Sequence, residues 1–161
     1  MSIETLFQKS EPFETHKNIL FEPLNADRQL KNDKTNTYCH YQQIYAIKDN
    51  KIDYHNNPDK IFVLDNMIEC LYFIFTDFGT NNRWDDKYWF FVGKLTNGLY
   101  FSYETKCGGT GFGVGCCSTI YFAKNEKNLE KYGFTNSQRD LIQLNIEKRF
   151  IYSKVSEDER L

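Results

Sequence analysis

The chain has 161 residues, a formal charge of −2 and 17% aromatic residues, enough length for one domain to bury a core without covalent staples. A balance so near neutral excludes the basic field that holds nucleic acid. The longest apolar run, Leu71-Tyr72-Phe73-Ile74-Phe75, is far short of the roughly 20 residues of a membrane-spanning helix.

Five cysteines is an odd number, which does not suit a secreted disulfide framework. The first residues, Met1 to Phe7, lack a basic n-region and an apolar h-region. The expectation is a soluble, cytoplasmic protein with reduced thiols.

In residues 1–35, Ile3, Leu6 and Phe7 have helical spacing, while Pro12 and Pro23 interrupt anything longer. Ile19, Leu20 and Phe21 fit a short strand or a plug against the core. This segment reads as an N-terminal arm. Residues 36–150 read as a single α+β domain, and 151–161 as a charged tail that frays. Within 36–55, Asp49-Asn50 predicts the turn of a hairpin, about 43–48 with 51–55. Ile61-Phe62-Val63 suits a short strand. Ile68, Leu71, Tyr72 and Phe75 fall at helical spacing between a candidate N-cap, Asp65, and a stop, Gly79. They predict a helix over about 66–77, although Phe73, Ile74 and Phe75 would also suit a buried strand.

The clearest local signal is Asn97-Gly98 between two β-rich runs, which predicts a type I′ hairpin. Pairing outward puts Thr96 opposite Leu99, Lys94 opposite Phe101 and Val92 opposite Tyr103. Phe90, Val92, Leu99, Phe101 and Tyr103 then share the core face. Ser118 to Ala123 predicts the next strand, adjacent and antiparallel. Asn125 caps a short helix, Glu126 to Lys131, closed by Gly133. Thr135-Asn136-Ser137-Gln138 matches a capping box ahead of a helix over about 136–148. The expected architecture is α+β: an antiparallel β-meander with helices packed on one face.

Chemistry, if local, belongs in Lys106 to Cys117, which holds five of the nine glycines and three of the five cysteines. Glycine-rich backbone can cradle anions, but Gly109, Gly111, Gly113 and Gly115 alternate and form no G-x-G-x-x-G, and no Gly-Lys-Ser/Thr ends the run. A strand–loop–strand is also the form of a kinase phosphate lid, yet none of the kinase motifs follows. For metal, Cys107, Cys116 and Cys117 could be joined by Cys39, His40 and Cys70, but the chain has no zinc knuckle. Cys116 and Cys117 would point to opposite faces of a strand. Asp77 to Asn82 lacks the glycine and glutamate of a calcium loop. No metal and no cofactor is expected.

Cys107 ahead of Gly108-Gly109 could be a nucleophile beside an oxyanion hole, with His16, His40 or His55 as base, but no spacing ties a histidine to it. Phe112 and Val114, held among glycines, suit a partner contact, or Phe112 folds back as a plug. The reading favoured here is a non-enzymatic binding module using Cys107, Gly109, Thr110, Gly111, Phe112 and Val114. Its partner would be another protein or a second copy, with no nucleic acid and no membrane. The alternative is a thiol-dependent enzyme or redox protein using Cys107 or Cys116/Cys117.

The run Cys107-x-x-Thr110-Gly111-Phe112, then Ser118 to Ala123, Leu129, Tyr132 to Thr135 and Arg139, resembles a loose group of small uncharacterised α+β proteins with a Cys-x-x-Thr-Gly-aromatic loop. The likeness covers about residues 86–142. It departs at Gly115-Cys116-Cys117, where the group is more polar or glycine-rich. The resemblance implies the fold boundaries and the importance of the loop, and no activity.

Overall fold

The computed structural model describes residues 3–21, 23–24, 40–48, 51–53, 65–78, 87–108 and 115–152, with residues 4, 40–42, 53, 65, 108, 115 and 116 described by their backbone alone. Eight strands form one mixed sheet: β1 (Glu11–Pro12), β2 (His40–Lys48), β3 (Lys51–Asp53), β4 (Ile68–Asp77), β5 (Tyr88–Leu95), β6 (Tyr100–Gly108), β7 (Gly115–Ala123) and β8 (Phe150–Tyr152). The spatial order is β1-β4-β5-β6-β7-β2-β3, with β8 also on β4. Helices α1 (Glu126–Tyr132) and α2 (Asn136–Asn145) follow β7. The fold is α+β, as expected. Two pairings are parallel, β2 with β7 and β4 with β8, so the sheet is not antiparallel throughout.

The helix expected over 66–77 is instead β4, preceded by a single 3-10 turn at Asp65–Met67. The apparent helical spacing comes from two register shifts against β5, between Ile68 and Cys70 and between Leu71 and Phe73. Each irregularity resets the two-residue alternation. Ile68, Leu71 and Ile74 therefore reach one hydrophobic cluster at three-residue intervals, while Tyr72 and Phe73 reach the other. Strand geometry wins because partners lie along both edges: β5 on one, β1 and β8 on the other.

The β5–β6 hairpin forms, but its register is one residue from that of a type I′ turn. Gly93 pairs with Phe101 and Lys94 with Tyr100. Leu95 N donates to Leu99 O at 2.8 Å, and Gly98 N to Leu95 O at 2.9 Å. Gly98 has φ +91°. This is a three-residue loop, a turn closed by a left-handed glycine. A one-residue slip exchanges faces. Trp89, Phe91, Leu95, Phe101 and Tyr103 consequently share one cluster, and Phe90 and Val92 belong to the other.

Both faces of the sheet centre are therefore buried. Phe13, Leu20 and Leu24 cover the first, and the Trp89 indole donates to the carbonyl of Ile19 at 3.3 Å. Residues 17–21 are helical, so Leu20 is a plug as expected while Phe21 is exposed. The second face receives Ile3 and Leu6 from the 3-10 turns at Ile3–Gln8, Leu129 from α1, and Ile142 and Ile146 from α2. Asn125 caps α1 and Thr135 with Gln138 closes the expected capping box on α2. Arg139 donates to the carbonyls of Glu130 and Lys131 at the end of α1 and lies over the Phe134 ring. The β2–β3 hairpin pairs Lys48 with Lys51; its turn, the expected strand at 61–63, Gly79 and residues 153–161 lie outside the described residues.

Gly93 marks a close approach of β5 to its neighbours: a Cβ there would sit 2.6 Å from the Cys70 carbonyl oxygen and 2.9 Å from the Phe101 ring. Gly93→Ala is expected to cost about 2 kcal/mol, and Gly98→Ala, strained by its positive φ, about 1 kcal/mol. Urea unfolding midpoints check both. A Gly93→Ala protein that unfolds with the wild type would refute the tight β4–β5 approach.

Candidate functional site

The glycine/cysteine run sits on the β6–β7 ladder, whose register runs from Tyr100 opposite Ala123 to Gly108 opposite Gly115. The strands thus extend further into the run than expected, leaving residues 109–114 as the connection. Along one face of this stem the pairs change character toward the loop. Phe101 lies opposite Phe122, Tyr103 opposite Ile120, Thr105 opposite Ser118 and Cys107 opposite Cys116. Thr105 and Ser118 are buried and share a hydroxyl hydrogen bond of 2.9 Å, which satisfies both inside the core. The Tyr103 hydroxyl is buried without a hydrogen-bond partner among the described residues, although its ring stacks on Phe91 with centroids 4.4 Å apart.

Cys107 is in β6 rather than in a loop. It is 6% exposed and stands in a disulfide, against the expectation of reduced thiols. Its backbone N–H donates toward β5, to the Lys87 carbonyl at 2.9 Å. In an antiparallel strand both polar groups of a residue point to the same side, so the Cys107/Cys116 position is a non-hydrogen-bonded pair across β7. Such pairs are the close ones, with Cα atoms roughly 4.5 Å apart, within the ~4.4–6.8 Å reach of a disulfide. Cys70 and Cys117 are free thiols.

On the opposite face of the stem, Glu104 accepts from the Tyr88 hydroxyl at 2.8 Å and lies 3.9 Å from the exposed Lys106 ammonium. Burial, then the Glu104 carboxylate, pushes the Tyr88 phenol well above its usual range.

Of the expected site residues, the structure therefore places Cys107. Gly109, Thr110, Gly111, Phe112 and Val114 lie outside the described residues. No group of three or more metal-ligating side chains occurs among the described residues. The one candidate base whose side chain is described, His16, is engaged elsewhere. Its Nε2 is 2.6 Å from Glu11 Oε2, its Nδ1 meets the Tyr152 hydroxyl, and its ring stacks on Phe150. Both nitrogens are thus occupied at the β4/β8 edge. While oxidised, Cys107 offers no thiolate.

Two clusters were invisible in the sequence. One is the Glu11–His16–Tyr152 chain, whose members are up to 141 positions apart. The other gathers Phe7, Tyr72 and Tyr100, with ring centroids 5.1–6.1 Å apart, around the free Cys70. Burial, then the neighbouring Cys70 thiol, raises the Tyr72 pKa. The Tyr100 hydroxyl donates to Glu126 at 3.1 Å. The odd density of tyrosine at otherwise apolar positions was the only available signal for either.

Comparison with protein-family models, curated proteins and solved structures finds no match to this chain.

Tyr103→Phe removes a buried unpartnered hydroxyl and keeps the ring stack. It is expected to raise the unfolding free energy by about 1 kcal/mol, and a destabilised variant would show that the hydroxyl has a partner in solution. The Tyr152 pKa is pushed up to about 12 from 10.0, by burial first and then by Glu11. The folded phenol holds its proton more tightly than the unfolded one, so the stabilisation is whole below pH 10 and is lost as pH rises toward 12. Tyr152→Phe should flatten the decline of stability across that range, measured as urea midpoints from about pH 9 to about pH 12. An unchanged slope would remove Tyr152 from the linkage.

Proposed function

We propose that this protein is a non-enzymatic binding module that presents residues 109–114 to another protein or to a second copy of itself. The observation that carries the reading is the disulfide at Cys107, buried one residue from the last β6–β7 pair, Gly108 with Gly115. The register offers Cys116 as the closing thiol. A cross-link there would hold the two ends of a six-residue connection at a constant separation. It would remove about 2–3 kcal/mol of chain entropy from the unfolded form. A loop held in this way loses less freedom on binding, and the expected Phe112 and Val114 contacts would gain by it. The body behind it is read as a β4–β7 meander backed on one face by α1 and α2.

The cytoplasmic placement expected from the sequence sits poorly with this disulfide, since cytosolic thiols are kept reduced. The disulfide also favours a second reading, a thiol redox protein in which an external dithiol would reduce the cystine and leave as its own disulfide. The burial of Cys107 works against it, because attack needs access to sulfur.

Peptide mapping without reductant, after alkylation of free thiols, should recover Cys107 linked to Cys116 and Cys117 alkylated. Recovery of Cys107 linked to Cys39 would move the staple off the hairpin. Replacing residues 109–114 by a six-residue Gly/Ser linker, or Phe112 by Ala, should abolish self-association or capture of a purified partner while leaving thermal unfolding within a few degrees of wild type. Unchanged binding in both variants would end the loop-interface reading.

A further inference from the structure

A second candidate site is built from segments near the two ends of the described chain. Between the 3-10 turns at Ile3–Gln8 and the segment leaving α2 is an open cleft of about 630 Å³, lined by Thr5, Gln8, Lys9, Ile146, Glu147, Arg149 and Phe150. That volume is in the range of small-molecule sites. Ile146 and Phe150 are its apolar surfaces.

Its electrostatics are unusual at Arg149. The guanidinium donates through Nη1 to the carbonyls of Leu6 and Lys9 and through Nη2 to that of Thr5, at 2.7 Å for the last. All three acceptors are neutral. No carboxylate within ion-pairing distance of Arg149 is found among the described residues, and burial alone lowers its pKa. A guanidinium has five N–H donors. Three serve the carbonyls, so Nε–H and one Nη2–H remain, the edge that takes a carboxylate side-on. Lys9 adds a second cation to the lining and Glu147 the one acid. The carbonyls hold the guanidinium in place, and they leave its charge unneutralised.

We propose that this cleft binds a small monocarboxylate with an apolar body, its carboxylate on Arg149 and Lys9 and its body against Ile146 and Phe150. The proposal is independent of the binding loop: the two sites share no residue.

The probe is 4-phenylbutyrate, with the neutral 4-phenylbutyramide as control, titrated into the full-length protein and followed by amide chemical shifts. The expected result is saturable shifts at residues 5–9 and 146–150 with a dissociation constant below about 1 mM. Binding should weaken at least 10-fold with the amide and at least 10-fold in Lys9→Glu, whose side chain is exposed and whose replacement should leave the fold intact. Arg149→Lys keeps the charge and loses the fork; if it folds, it should also bind at least 10-fold more weakly. Absence of saturation to several times that concentration, equal binding of acid and amide, or wild-type affinity in Lys9→Glu would each overturn the proposal.

Discussion

The register of the β5–β6 hairpin is the constraint on which most of the structure depends. Three residues, closed by Gly98 at φ +91°, put Gly93 opposite Phe101. That parity places Trp89, Phe91, Phe101 and Tyr103 together on one face and Phe90 with Val92 on the other. A two-residue turn would have mixed the sets. Because each face is then aromatic and apolar, each must be covered, at roughly 25 cal/mol for every Å² removed from water. Phe13, Leu20 and Leu24 serve one face, and the first turns with α1 and α2 serve the other. The two-sided burial is thus a consequence of turn geometry as much as of composition.

How far the sequence revealed this varied with the range of the interaction. Caps were legible to the residue: Asn125, Thr135 and Gln138 act within three positions of themselves. The hairpins were legible in place, since Asx and glycine signals are local, but the β5–β6 register was not. Asn-Gly fits both a two-residue and a three-residue loop, and the difference lies in whether one or both residues take positive φ. β4 was misread because its irregularities imitate helical spacing, and that cue exists only in relation to β5. The parallel pairings of β2 with β7 and of β4 with β8 join strands some seventy residues apart, and no local periodicity encodes them. At the candidate site, the concentration of glycine and cysteine falls at the ends of β6 and β7 and the connection between them. It could not show that Cys107 belongs to the strand, since a cysteine in a strand and one in a loop look alike in sequence.

The ends of the described chain are tied to one edge of the sheet by polar contacts of long range. Arg149 holds the carbonyls that end the first turns, and Tyr152 holds His16. β1 and β8 pair along successive parts of the same edge of β4, with Leu71 and Cys70 for the one and Ile74 to Thr76 for the other. Two short strands end to end protect an edge that would otherwise offer a long row of unpaired backbone groups. Neither could stand alone: β1 is two residues and β8 three. Each is held by the side chains around it, and His16, stacked on Phe150 and bonded to Glu11, joins the two.

This arrangement divides the molecule into a region where order is built by neighbours in sequence and one where it is built by the ends. The β6–β7 stem lies past β5 from the tied edge, and its two strands are held by their own ladder with β5 and β2 on either side. The cleft beside Arg149 is made entirely from the tied segments. Loss of the contacts between residues 3–16 and 146–152 would therefore dissolve the cleft while leaving the ladder that carries the stem. The stem and the cleft can respond separately because different parts of the chain pay the entropy of ordering them. Their independence follows from topology: β6 and β7 of the stem are consecutive in sequence and are flanked by β5 and β2, whereas the segments that frame the cleft come from the two ends of the described chain and meet only in the folded protein.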